Sequence, residues 1–201
     1  GVHLVAVSKT KSPDEILEAY RAGQRDFGEN KVQELAGKYQ ALPSDIRWHM
    51  IGHLQRNKVR HIAGFVHLIH GVDSLRLLEE INRRGASENR VIDCLLQVHI
   101  AEEATKFGFG PEELGALLEG SELNRLKNVR IRGLMGMATF TDNQAQVRRE
   151  FRKLKELYDR LFAADPRADI LSMGMSGDYA VAVEEGSTMV RIGSSIFGTR
   201  A

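Results

Sequence analysis

The sequence predicts an α/β protein, a closed (β/α)8 TIM barrel, and three observations carry that reading. Short β-rich runs alternate with helical stretches along the chain, as parallel βαβ construction requires. The runs number eight. The 201 residues hold eight strand-helix units at about 25 residues each and little more. A doubly wound open sheet would give a similar alternation.

The elements follow in order. HLVAVS at 3–8 is the first strand, and a helix over 13–22 is opened by Ser12 and Pro13 as cap and first-turn residue. RDFG at 25–28 leads to a helix over 30–41, RWHMI at 47–51 to one over 55–63, and FVHLIHGV at 65–72 to one over 74–84. VIDCLLQV at 91–98 is followed by a helix over 111–119, and VRIRGLM at 129–135 by one over 143–164. In that longest helix Val147, Phe151, Leu154, Leu157, Tyr158 and Leu161 fall at helical spacing between charged residues, which marks a core-facing stripe. ILSM at 170–173, a helix over 178–185 and TMVRI at 188–192 complete the pattern. Seven helices leave the barrel one short, and the expected place for the eighth is before Gly1. No linker, repeat or low-complexity tract divides the chain, so residues 1–201 read as one domain.

Composition narrows the function classes. Twenty-eight Lys and Arg against 27 Asp and Glu leave a net charge of +1, with no global field for nucleic acid or an anionic membrane. The single Cys94 cannot form an internal disulfide and lies in an apolar run, as an inert buried thiol in a reducing cytosol would. No apolar stretch approaches the 18 or so residues of a membrane span, and GVHLVAV lacks the order of a signal peptide. The expectation is a soluble cytoplasmic protein; no interface is legible, so a monomer or weak dimer is expected.

In a barrel, chemistry gathers at the C-terminal ends of the strands, with phosphate often held by the loops after strands seven and eight. After strand seven, Ser176 and Gly177 precede a short helix, where backbone N–H groups and a hydroxyl can hold an anion, or where Ser176 can act simply as a cap. Strand eight carries Arg191 in a β-branched run and ends in Gly193-Ser194-Ser195. With Met189, Arg191 and Gly193 on one face, Arg191 points into the barrel or outward under a helix; an unpaired guanidinium is costly in either place, so a ligand or a carboxylate such as Asp73 or Glu29 must balance it. Lys9, ending strand one with the parity of Val5 and Val7, stands at the barrel mouth, where desolvation would fit it for Schiff-base chemistry. Glu29 and Asn30 follow strand two, His49, Gln55, Asn57 and Lys58 surround strand three, and Lys106 adds a second amine after strand five. His67 and His70 lie on strand four, but no HExxH or paired Cys-His spacing appears, so no metal site is expected. GLMGMAT at 133–139 reads as a packing segment.

Taken together, VSKTK with Lys9, FGEN, WHMIGHLQRNK, ATKFG and LSMGMSGDYAVAVEEGSTMVRIGSSIFGTR resemble the YggS/PROSC family of pyridoxal-phosphate homeostasis proteins. The resemblance runs from strand one to the last residues. It implies the alanine racemase N-terminal domain type of barrel (PLP fold-type III), without a C-terminal β domain, and pyridoxal 5′-phosphate (PLP) as cofactor, bound as an aldimine on Lys9. It further implies Asn30 near the ring hydroxyl, Arg191 toward the pyridine nitrogen, Ser176, Gly177, Gly193 and Ser194 around the phosphate, and Lys106 as a second lysine near the pocket. His99-Ile100 departs from the small pair usual in that family. The function expected is a carrier that buffers PLP and supplies it to apo PLP-dependent enzymes. An amino-acid racemase is the alternative, disfavoured because the second base of such racemases comes from a separate β domain. A barrel aldolase or isomerase using Lys9 on a phosphorylated sugar is a third class.

Overall fold

The computed structural model describes residues 1–103 and 107–198. Strands β1 (His3–Val7), β2 (Asp26–Glu29), β3 (Arg47–Met50), β4 (Leu68–Val72), β5 (Ile92–Gln97), β6 (Val129–Met135), β7 (Ile170–Ser172) and β8 (Met189–Ile192) pair in chain order and close on themselves. Every pairing is parallel, and closure is made by β1 against β8, with Val5 opposite Arg191. All eight expected strands are therefore present in a barrel rather than an open sheet. β4 starts three residues later than the β-branched run implied, because the Phe65 and Val66 amides donate back to Ile62 and complete a turn.

Helices α1 (Pro13–Arg21), α2 (Val32–Ala41), α3 (Leu75–Ser87), α4 (Pro111–Glu119), α5 (Gln144–Phe162), α6 (Tyr179–Glu184) and α7 (Ser194–Phe197) surround the sheet. Local chemistry sets their starts. Ser12 and Glu15 form a capping box ahead of Pro13, Ser74 accepts from the Leu77 amide, and Asn143 accepts from the Gln146 amide. Two expectations are corrected. The segment expected as a helix over 55–63 is a 3-10 turn at Arg56–His61, and a one-turn helix, α7, follows β8 where none was expected. A second 3-10 turn spans Glu122–Arg125.

Side chains alternate across each strand, and the two faces bury different layers. Phe27, Trp48, Ile69 and Cys94 face outward beneath the helices, where Leu77, Ile81, Phe151 and Leu154 meet them. Cys94 is fully buried, and desolvation raises its thiol pKa well above the ordinary range. Val5, Leu68, Leu95, Met135 and Met189, one from each of five strands, fill the barrel interior. β6 carries a register shift against β5 near Gly133, whose φ of +143° and closeness to β7 admit no side chain: a Cβ there would lie 1.8 Å from the Ile170 carbonyl oxygen.

Ion pairs tie the N-terminal ends of the strands: Asp26 to Arg47 at 2.9 Å, Asp93 to Arg130 and Arg132 at 2.7 and 2.9 Å, and Arg132 on to Asp169 at 2.7 Å. This end of a barrel serves stability, leaving the opposite end for chemistry. Among the described residues, no helix is long and apolar enough to cross a membrane.

Candidate functional site

The C-terminal ends of β1, β6, β7 and β8 open into one cavity of about 1050 Å³. Its walls bring together Lys9, Ser176, Gly177, Arg191, Gly193 and Ser194, six of the eight residues singled out from sequence. Asn30, half-buried, is not on that wall; its backbone packs against Gly52, where a Cβ would lie 2.4 Å from the Asn30 carbonyl oxygen. Lys106 lies outside the described residues.

Arg191 is the most unusual group in the cavity. Its position on β8, with the parity of Met189, turns it into the barrel, where it is 3% exposed. One terminal nitrogen donates to the Gly136 carbonyl at 3.2 Å, and among the described residues its Nε has no partner. Desolvation lowers its pKa to about 10, against the pull of the Asp178 charge, so it stays cationic near neutrality. The carboxylates considered as internal partners are engaged elsewhere: Glu29 with Lys38 at 3.0 Å and Asp73 with His53 at 3.5 Å. Arg191 is thus a buried cation short of one acceptor, on the wall of a cavity large enough to hold a ligand that supplies one.

The loops after β7 and β8 converge beside it. The Gly193 amide donates to the Ser176 hydroxyl at 3.2 Å, and the Arg191 amide donates to the Gly174 carbonyl at 2.9 Å, locking the two loops together. Asp178, which lines the cavity too, accepts from the Met175 amide at 2.7 Å, and burial raises its pKa despite that bond. Gly177 opens onto empty space: a Cβ there would meet nothing within 4 Å.

Lys9 stands on the β1 side of the cavity and is exposed, so the expected desolvation of its amine does not hold. What fixes Lys9 is the backbone around it. Thr10 sits in the left-handed region at φ +62°, rare for a β-branched residue, with its amide bonded to Glu34 at 3.0 Å. Beneath the loop, Lys38 donates to the Ser8 carbonyl at 2.8 Å, to Glu29 at 3.0 Å and to Glu34 at 3.2 Å, while the Ser8 hydroxyl donates to Glu29. Burial raises the Glu29 carboxyl above its ordinary value, even though Ser8 and Lys38 pull it down.

Two structural groups were missed from the sequence. Lys38 reads as one more charge on a helix, and only the fold shows it pointing inward. Glu150, 1% exposed, lies within the apolar stripe of α5 and accepts from the Thr139 amide at 2.6 Å, the Thr139 hydroxyl at 2.7 Å and the Glu102 amide at 2.8 Å. It thereby holds the loops after β5 and β6. The GLMGMAT segment does more than pack, because Met137, Ala138 and Thr139 form part of the cavity wall.

The alanine racemase, N-terminal domain family model matches residues 1–201. The chain belongs to that family. The pyridoxal phosphate homeostasis protein of Aquifex aeolicus (strain VF5) is 45% identical over 199 residues, covering 98% of this chain and 86% of the relative. The pyridoxal phosphate homeostasis protein of Vibrio alginolyticus is 44% identical over 206 residues, covering 100% of this chain and 87% of the relative. Among solved structures, PipY of Synechococcus elongatus PCC7942 with PLP bound superimposes with a TM-score of 0.88 at 40% identity, covering 98% of this chain and 92% of PipY. The family membership and the alanine racemase-type barrel expected from the motifs are both borne out.

Proposed function

We propose that this protein binds pyridoxal 5′-phosphate at the C-terminal mouth of the barrel, held covalently by Lys9, and acts as a carrier that buffers the cofactor and supplies it to apo-enzymes. The observation that carries this reading is the buried Arg191 with its unpartnered Nε, on the same cavity wall as the joined Ser176 and Gly193 loops and Lys9. The names of the relatives and the PLP in PipY support the same ligand.

The residues present fit the group. Ser176, Gly177, Gly193 and Ser194 offer hydroxyl and backbone donors suited to a phosphate, and the open space at Gly177 leaves room for close approach. Lys9 offers the amine that joins an aldehyde with loss of water. Bound PLP would supply that aldehyde and an electron-withdrawing ring. Arg191 has only N–H donors, so a ring nitrogen facing it would be kept as an acceptor rather than protonated. That would limit the ring's capacity to stabilise negative charge, and so carbanion chemistry. Asn30 and Lys106 are proposed as peripheral contributors to the same site. A reducing cytoplasm suits the lone buried thiol.

The test is uptake followed by transfer. Purified protein mixed with PLP should show a visible absorption band that Lys9→Ala lacks, and the loaded protein should restore an apo-enzyme faster than the same amount of free cofactor. A protein that never takes up PLP would overturn the binding site. Racemisation of alanine or serine at enzymatic rates, abolished by Lys9→Ala, would replace the carrier with an enzyme.

A further inference from the structure

At the N-terminal mouth, far from Lys9, lies a second cavity of about 420 Å³. Three of its lining residues offer metal-ligand atoms within 4.8 Å of one another: a carboxylate oxygen of Asp26, first in β2, a ring nitrogen of His49, in β3, and one of His67, just before β4. We propose that Asp26, His49 and His67 form a binding site for a divalent ion of the zinc class, with a water from the cavity as fourth ligand.

Three features argue for it. The first is spacing. Bonds of about 2.1 Å in a tetrahedron place ligand atoms roughly 3.4 Å apart. The 2.9 Å between His49 Nε2 and Asp26 Oδ1 and the 4.8 Å limit on the set bracket that value, so small side-chain rotations suffice.

The second is the support behind His49. Its other ring nitrogen, Nδ1, lies 2.9 Å from His70 Nε2, and His70 Nδ1 lies 3.0 Å from the Ser172 hydroxyl. With Nε2 on a metal, Nδ1–H donates to His70, and His70 donates in turn to Ser172. Such an outward chain from the far nitrogen is what fixes the tautomer and ring plane of metal-bound histidines. His49 and His70 are both buried within the barrel, so this chain of ring nitrogens is shielded from water.

The third is the donor set. Two imidazoles and one carboxylate with an open position suit zinc, not magnesium or calcium, which prefer all-oxygen cages. Arg47 meets Asp26 through both its oxygens, at 3.0 and 2.9 Å, which orients the carboxylate while an ion takes the direction on Oδ1 now filled by His49. No sequence spacing betrays the site, since its ligands come from β2, β3 and the segment leading into β4, and the expectation of no metal rested on spacing alone.

Titration calorimetry of the purified chain with zinc chloride in a non-chelating buffer decides the matter. The expected result is saturable binding near one ion per chain with a Kd in the micromolar range or tighter, and a rise in Tm with zinc. His67→Ala, at the exposed rim, should weaken binding at least tenfold and abolish the rise in Tm, and Asp26→Asn should act likewise. Ser172→Ala, touching no metal, should weaken binding by about tenfold through the relay. Exposed His61 serves as the control: His61→Ala should bind as wild type does, and so should Lys9→Ala. No saturable uptake below about 100 µM, or equal affinity in wild type and His67→Ala, would overturn the proposal.

Discussion

Replacing Lys38 by Met should unmask a charge buried beneath the Lys9 loop. The Lys38 side chain is 10% exposed and that of Glu29 is fully buried, so the pair has almost no access to water. Met keeps the length and apolar stem of Lys and leaves the packing nearly unchanged. What is lost is the cation that faces Glu29, along with the bonds to the Ser8 carbonyl and Glu34. Removing one partner of a buried pair costs about 3–5 kcal/mol when the other must stay charged. Glu29 has an escape, however: it can take up a proton. From an unfolded pKa of about 4.3, that costs roughly 3.7 kcal/mol at pH 7 and about 2.3 kcal/mol at pH 6, which caps the penalty. Glu29 already titrates above its ordinary value in the parent, so part of this burden is present there and the difference narrows to about 2–3 kcal/mol at pH 7. The sign is fixed by linkage. A carboxyl raised further in the variant makes its folded state bind more protons than its unfolded state, so the deficit grows as pH rises and shrinks toward pH 5. Urea unfolding of both proteins from pH 5 to pH 8 measures it. A gap that stays flat across that range, or one below about 1 kcal/mol at pH 7, would refute the claim that Lys38 neutralises Glu29.

Three other outcomes are expected. Arg191→Met should raise the stability of the cofactor-free protein by about 1–3 kcal/mol, because it removes a desolvated cation with an unpartnered Nε, and should weaken PLP uptake; lower stability in urea would contradict this. Glu150→Gln should lose about 1–3 kcal/mol at pH 7, since burial would raise this carboxyl but its N–H and O–H donors hold it below its ordinary value. The stabilisation Glu150 gives is complete above its unfolded pKa and fades as pH falls through the lower folded value, so the gap between wild type and variant should close below about pH 4 in urea titrations. Gly133→Ala should destabilise by more than about 3 kcal/mol by thermal or urea unfolding, since φ is +143° and the Ile170 carbonyl occupies the place of the new methyl; a near-neutral change would mean that β6 can shift its register.

The strands were legible because β-branched runs bounded by glycines and charges leave few alternatives; the shared parity of Met189, Arg191 and Gly193 put Arg191 in a costly buried place, and the closed barrel shows that place to be its interior. The anion-suited loops were legible for a related reason: Ser176 and Gly193 sit at strand ends, where the barrel itself supplies the geometry. Short turns were not. Arg56–His61 carries the polar composition of a helix, and only the tertiary path through Ile62 confines it to 3-10 form. The exposure of Lys9 was misjudged because strand parity reports direction and not depth. Lys38 and Glu150 escaped notice since a charge on an amphipathic helix points to water by default, and its inward turn depends on donors from distant loops.

Closing β1 onto β8 has a consequence for encounters with other proteins. An open sheet offers a row of unpaired amides and carbonyls to which a foreign strand can add, a common route to both recognition and aggregation. Here each of the eight strands has a neighbour on both sides. A protein that docks at the C-terminal mouth must therefore grip side chains and loop backbone, among them Phe140, 99% exposed at the cavity's edge, and can let go again without breaking a ladder.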